Sequence, residues 1–288
     1  MTRASRLRTW TRPARHALAY GGLRVFVGAL ACLPLGLALA AGALSGRVIG
    51  RLAFRTRRTA ARGLSTVDPR PGLVSEHFAS LGRRFVEVAL LERMLAAGRI
   101  QVPPEAVDAL RAPLQVGRGA LVLTAHFGNW ELLGAAVARA GLEIHSVAAQ
   151  MGGGPLHRWL ARARAAAGLT LHPPGGGARS AVERLQGGGL LAIFFDLATR
   201  ERARDLPFFG RPTAFSRTSE RLHAATGAVP LLVLPVREGN GYRVTAEPLT
   251  SDDPLAEAVA RLEAAVHAAP AEWVWLVDRW PGRGKVPP

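Results

Sequence analysis

Three short, almost wholly apolar bursts constrain this chain most: Ala120-Leu-Val-Leu-Thr-Ala125, Leu190-Leu-Ala-Ile-Phe-Phe195 and residues 229–236; Ile144 to Ala148 reads as a further strand. Apolar runs of six to eight residues between turn signals fit strands buried on both faces. Stretches of helical period sit beside them, over residues 129–140 (closed by Gly141), 155–167, 178–186 (closed by Gly187-Gly-Gly189) and 214–226. A short strand, Leu169-Thr-Leu171, precedes the third helix. Upstream, Phe78, Leu81, Phe85, Val88 and Leu95 recur at helical spacing through residues 75–97, where Gly98 ends the run. Downstream, Tyr242 to Glu247 reads as a hairpin partner of residues 229–236 across Gly239-Asn-Gly241, and Leu255, Val259, Leu262 and Val266 line a last helix before Pro270. The alternation predicts an α/β fold: a mostly buried mixed sheet flanked by helices. Residues 152–154 and 173–177 read as glycine-rich turns inside it.

Charge divides the chain unevenly. Residues 1–62 hold twelve arginines and no acid, so +12 of the net +16 precedes Asp68, and the other 226 residues carry only +4. Residues 25–46 form an uncharged stretch between Arg24 and Arg47. As one helix it would reach about 33 Å, enough for a hydrocarbon core of about 30 Å, with Pro34 its weak point. Arginines flank it on both sides, which pulls both ends to the cytoplasm. The reading preferred is a membrane-anchoring segment, residues 1–62, that dips into or lies along the inner leaflet on anionic lipid, ahead of a body over residues 63–288. A cleavable signal at Ala38-Leu39-Ala40 and a buried hairpin of core helices compete with it; a nucleic-acid tail is disfavoured because apolar sequence interrupts the charge. The single Cys32 excludes a disulfide framework and a multi-cysteine zinc site, and sits in the apolar run as filler.

The chemistry concentrates in Thr124-Ala-His-Phe-Gly-Asn-Trp-Glu-Leu-Leu-Gly134. A strand delivers His126 at its carboxyl end, where α/β sheets place ligands. In a continuous helix, residues five apart point about 140° away from each other. With Gly128 turning the chain and Asn129 capping the next helix, Glu131 is expected to fold back, orient the imidazole and let His126 act as a general base. The bare spacing is common: His267 and Glu272 repeat it at a helix end without any sign of chemistry. A lone strand-end histidine is more often a hydrogen-bonded core residue; strand, glycine turn and capped helix together favour a site.

His126-Phe-Gly-Asn-Trp-Glu131-Leu-Leu-Gly resembles the His-x4-Asp/Glu block of the bacterial late acyltransferases of lipid A biosynthesis. Their relatives include the phosphatidylinositol mannoside acyltransferases and, further off, the glycerol-phosphate acyltransferases. The resemblance continues through Arg162-Ala-Arg164-Ala-Ala-Ala-Gly168, Leu185 to Asp196, Leu206-Pro-Phe-Phe-Gly210, Ala225 to Pro230 and Glu272-Trp-Val-Trp-Leu with Arg279-Trp280, covering about residues 20–282. Leu197 stands where the family usually has Gln, and Val277 and Asp278 where it usually has His and Arg.

The resemblance implies a glycerol-phosphate-acyltransferase-like fold and transfer of a fatty acyl group from a thioester to a hydroxyl of a membrane glycolipid, most often a lipid A precursor, at the cytoplasmic face of the inner membrane. Acyl carrier protein is the implied donor, with CoA as the alternative. Asn129, Arg164 and Asp196 are expected on the substrate side, Arg164 or backbone N–H groups near Gly128 as oxyanion donors, and Asp196 as the orienter of an arginine. Trp273 and Trp275 read as core. No Gly-x-Ser-x-Gly elbow is present, so attack is expected to be direct, without a covalent intermediate. No metal, cofactor or nucleic acid is expected; Gly282-Arg-Gly-Lys285 lacks the spacing of a phosphate loop. A non-catalytic membrane-bound relative, or acylation of a mannosylated phosphoinositide or ornithine-type lipid, are the alternatives.

Overall fold

In a computed structural model, the structure describes residues 20–22, 24–147, 159, 161–162, 164–165, 168–172, 177–197 and 203–280. Among the described residues, seven strands form one sheet: β1 (Ile100–Gln101), β2 (Ala120–Thr124), β3 (Ile144–Val147), β4 (Thr170–His172), β5 (Leu190–Phe194), β8 (Val229–Glu238) and β9 (Gly241–Pro248). Their order is β1-β9-β8-β2-β5-β3-β4, all neighbours parallel except the β8–β9 hairpin, so the sheet is mixed as expected.

Strand parity divides the core. Leu121, Leu123, Leu191, Ile193, Leu232 and Leu234 share a face covered by α7 (Gly177–Gln186), α8 (Thr218–Thr226) and α9 (Pro254–Ala268). Val122, Leu190, Ala192, Leu231 and Val233 point the other way, towards α5 (Pro104–Gln115) and α6 (Trp130–Arg139). Trp273 and Trp275 are buried in the first of these cores.

The expected helix over 75–97 is broken into α3 (Leu73–Ala89) and α4 (Leu91–Ala96) at Leu90. The helix expected from residue 214 starts at Thr218, because 211–216 belong to a second, two-stranded sheet, β6 (Ala203–Phe208) with β7 (Arg211–Ser216). Thr213 and Phe215 are buried at alternate positions, the period of a half-covered strand. Phe209 (φ +51°) and Gly210 (φ +69°) close the turn, both in the left-handed region that a two-residue hairpin of the primed kind demands. Of the helix expected over 155–167, residues 159, 161–162 and 164–165 are described and helical; the glycine turn at 152–154 and residues 173–176 lie outside the described residues.

The uncharged stretch is not one helix. Residues 24–31 are helical, the chain turns at Cys32-Leu33-Pro34, and α1 runs from Leu35 to Leu52. Pro34 has no N–H to donate and pushes Leu33 out of the helical region, so the break falls there. Arg93 of α4 fixes the turn, donating to Ala31 O (2.8 Å) and Leu33 O (2.9 Å). α1 then packs on α3 through glycines. A Cβ on Gly46 would lie 2.0 Å from Phe78 O, and one on Gly82 2.2 Å from Gly42 O. The division expected at residue 62 falls inside α2 (Phe54–Val67), and the segment before it shares a helix interface with the body.

Candidate active site

β2 and β5 are neighbours, with Thr124 opposite Phe194, so their carboxyl ends bring His126 and Asp196 together from 70 residues apart. Asp196 Oδ1 lies 2.9 Å from His126 Nδ1, while Oδ2 accepts from the His126 amide (2.9 Å) and from Trp273 Nε1 (2.9 Å). The carboxylate is fully buried and the imidazole side chain is 25% exposed. Burial works to raise the Asp196 pKa, but the His126 charge and these hydrogen bonds outweigh it, and the net shift is downward. An ionised carboxylate only accepts, so Nδ1 is the donor to it and Nε2 is the ring nitrogen that does not face it. The ring packs against Phe194 (centroids 4.5 Å apart) and Trp130 (5.1 Å).

This corrects the expected pairing of Glu131 with His126. Glu131 opens α6 and turns the other way, accepting from Arg164 Nε (2.8 Å), Arg164 Nη2 and Trp130 Nε1 (3.2 Å). The bidentate fork, with burial opposing it, raises the Arg164 pKa further above its ordinary value. Asp196 therefore orients the imidazole rather than an arginine, and Glu131 orients the arginine.

Asn129 caps α6, accepting from Leu132 N (3.2 Å), as its position suggested. Its amide nitrogen donates to Glu87 Oε2 (2.8 Å), and the residue is 2% exposed, so its polar atoms face the protein and not a substrate. Gly128, at φ +56°, is hemmed in by Pro235 O, 2.2 Å from any Cβ placed there. Its N–H is spent on Glu272 O (3.0 Å), which removes it as an oxyanion donor.

Below this turn lies a group of buried charges that sequence reasoning missed. His77, Ser80, Arg84 and Glu87, spaced three, four and three apart on α3, are all buried. Arg84 Nη1 donates to Gly128 O (2.8 Å) and Glu272 O (2.9 Å). Glu272 accepts from Ser80 Oγ (2.8 Å) and Arg237 Nε (2.9 Å); Tyr242 donates to Glu87 Oε2 (2.8 Å). Burial would raise the Glu272 pKa, yet Arg237 and Arg84 hold it below the usual carboxylate range. That helical spacing of polar residues was the available signal, masked by the apolar residues interleaved with it. Glu272, set aside above as chemically silent, acts here as an anchor for the turn that follows His126.

On the opposite side of that turn an apolar slot runs between α6 and the sheet, walled by Val122, Thr124, Gly134, Val137, Ala192 and Phe194, with Trp130, Glu131 and Arg164 at one end. Among the described residues no three His, Cys, Asp or Glu side chains are grouped to hold a metal ion. Val277 and Asp278 are half-buried; Asp278 pairs with Arg62 (3.1 Å).

Residues 11–281 match the family model described as bacterial lipid A biosynthesis acyltransferase. The chain is 28% identical over 238 residues, 78% of either sequence, to a phosphatidylinositol mannoside acyltransferase of Mycolicibacterium smegmatis. It is 28% identical over 184 residues to a protein of the same name from Mycobacterium tuberculosis, covering 60% of this chain and 58% of that one. A strand-end histidine on a buried aspartate, an apolar slot beside it and a match along nearly the whole length agree: this chain is an acyltransferase that belongs to the bacterial lipid A biosynthesis acyltransferase family.

Proposed function

We propose that the chain transfers a fatty acyl group from a thioester, on acyl carrier protein or CoA, to a hydroxyl of a membrane glycolipid, with His126 as general base. The observation that carries this reading is the half-open imidazole held on the buried Asp196 beside an apolar slot. Nε2 takes the proton of the acceptor hydroxyl as its oxygen attacks the thioester carbonyl. The tetrahedral adduct collapses, the carbon–sulfur bond breaks, and the thiolate leaves with the proton that Nε2 returns. Asp196 stabilises the imidazolium formed in between. Arg164 Nη1, the terminal nitrogen that Glu131 does not engage, is the donor assigned to the oxyanion.

For the acceptor, the family description favours a lipid A precursor, whereas the named relatives favour a mannose hydroxyl on a phosphoinositide. Both are anionic glycolipids presented at a bilayer surface. The test is mass-spectrometric: acyl transfer from acyl carrier protein and from CoA to each lipid. His126→Ala is expected to lower turnover by about 10²–10⁴, the span for losing a general base. Near-normal transfer by the folded variant refutes the assignment, and no transfer by the unaltered chain to either lipid returns it to a non-catalytic relative.

Membrane association belongs to the same reading. α1, at mean hydropathy 1.3, is the one helix among the described residues long and apolar enough to cross a bilayer. Among the described residues, nine of the eleven exposed large apolar side chains lie within residues 25–54, among them Leu37, Leu44, Val48 and Leu52 of α1, and six arginines follow from Arg47 to Arg62. With its other face docked on α3, α1 offers this side to the acyl region of an inner leaflet and its arginines to anionic headgroups at the cytoplasmic face. Leu44→Glu with Val48→Glu is expected to weaken binding to phosphatidylglycerol vesicles at least tenfold in a flotation assay; unchanged flotation would break the reading.

A further inference from the structure

We infer that Arg279 is a positioning residue of the acyl-transfer site: laid on the indole that holds Asp196, its guanidinium is the cation that balances this buried carboxylate, and it thereby sets the pH at which His126 is free to take a proton. The inference rests on the reading of His126 as general base. Three residues of β7 seat Arg279. Its Nη2 donates to Ala214 O (2.8 Å), and its guanidinium carbon lies 5.3 Å from the centroid of the Phe215 ring. The next residue, Trp280, donates from Nε1 to Thr213 Oγ1 (2.8 Å). β7 in turn meets the end of β5, where Ser216 N donates to Phe195 O (2.9 Å), one residue before Asp196. The same guanidinium carbon lies 5.7 Å from the centroid of Trp273, whose Nε1 donates to Asp196 Oδ2 (2.9 Å).

The charges around the His126 turn otherwise match. Arg164 pairs with Glu131, Arg237 with Glu87 and Glu272, and Arg62 with Asp278, while Arg84 stands among Glu272 and Glu87. His77, beneath the turn, is kept neutral by burial. Among the described residues, two groups at this turn are left over. Asp196 has His126 beside it, a cation only when protonated. Arg279 forms no ion pair among the described residues and keeps a buried Nε without a hydrogen-bond partner. Burial pulls the Arg279 pKa below its ordinary value, and the Asp196 charge is what opposes that pull. A buried ion is costly unless an opposite charge compensates it, and across Trp273 each of these two compensates the other.

Without that cation the carboxylate is matched only by an imidazolium, so the His126–Asp196 pair holds its proton to higher pH. In Arg279→Met the acid limb of kcat/KM for glycolipid acylation is expected to move up by about one pH unit. In Arg279→Lys, which keeps the charge, the limb stays at the parent's pH. The same shift is read without turnover by nitrogen NMR of the His126 imidazole, using the histidine-labelled full chain in lipid nanodiscs and assigning the signal by its loss in His126→Gln. Arg279→Gln, which keeps a donor for Ala214 O, is expected to shift as Arg279→Met does. An imidazole titration unmoved in the neutral variants, an equal shift in Arg279→Lys, or a fold lost in both neutral variants overturns the inference; the last outcome would make Arg279 a structural staple. A shifted imidazole in a chain that acylates nothing sinks the proposed reaction alone, and acylation with an unmoved imidazole sinks the role of Arg279 alone.

Discussion

The two sides of the His126–Gly128 turn are built on opposite principles. Beneath it, Arg84, Glu87, Arg237 and Glu272 bring two charges of each sign into the interior, with Tyr242, Ser80 and Asn129 completing the contacts. Above it, the slot is walled by side chains such as Val122, Val137, Ala192 and Phe194, and one ion pair, Arg164 with Glu131, stands at its mouth. The denser cluster of charge is the more deeply buried one. The buried Arg84 fixes backbone here, its Nη1 holding the carbonyls of Gly128 and Glu272. The slot side carries few charged groups beside its apolar walls: one imidazole, two carboxylates and one guanidinium.

The sharpest way to test this contrast is to separate chemistry from stability. Asp196→Asn should leave the fold near normal while cutting turnover by about 10² or more, since an amide neither fixes the Nδ1 proton nor stabilises the imidazolium. Steady-state rates on the folded variant check it; a rate within tenfold of the parent would assign the base elsewhere. Arg84→Met should do the reverse. It leaves Glu87 and Glu272 short of a buried cation and costs about 3–5 kcal/mol of stability, with activity per folded molecule falling far less than in Asp196→Asn. Urea unfolding set against active-site titration decides, and a stable but inactive variant would show that Arg84 belongs to the chemistry.

The smallest expected effect is a pH dependence. His77 is fully buried, and burial pulls its pKa from 6.5 to about 4, against the hydrogen bond to Ala271 O (3.1 Å). The folded state therefore binds this proton less readily than the unfolded one, so its contribution is present above pH 6.5 and is lost as pH falls towards 4. Between pH 7 and pH 5 this amounts to about 2 kcal/mol at ~1.4 kcal/mol per pKa unit. His77→Gln should flatten that part of the stability profile, and denaturation midpoints at the two pH values would expose an unchanged slope.

Much of the fold was legible because apolar period is a local property. The bursts at 120–125, 190–195 and 229–236 are strands within a residue or two, the Gly239 hairpin is present, and Pro34 announced the break before α1. The β6–β7 sheet was not, since Leu206-Pro-Phe-Phe-Gly210 reads as a turn and its flanking strands are half-polar. At the site, the structure joins His126 to Asp196 and Glu131 to Arg164, where the pairing expected was His126 with Glu131. Glu131 and Arg164 line the slot and His126 stacks on its Phe194, but spacing along the chain favoured the nearer acid, Glu131, over Asp196, 70 residues away.

Sequence by itself determined that a histidine would stand at the carboxyl end of a buried strand, followed by a glycine turn and a capped helix, because strand period, glycine and capping asparagine act within a few residues. It also determined an arginine-rich, apolar front to the chain. Only the tertiary structure decided which carboxylate meets the imidazole and which carries the arginine. That choice depends on strand order, with β5 beside β2, and on Arg84 and Trp273 reaching the same turn from α3 and the chain's end. Strand order is set by the packing of the whole sheet, a property no local window of residues contains.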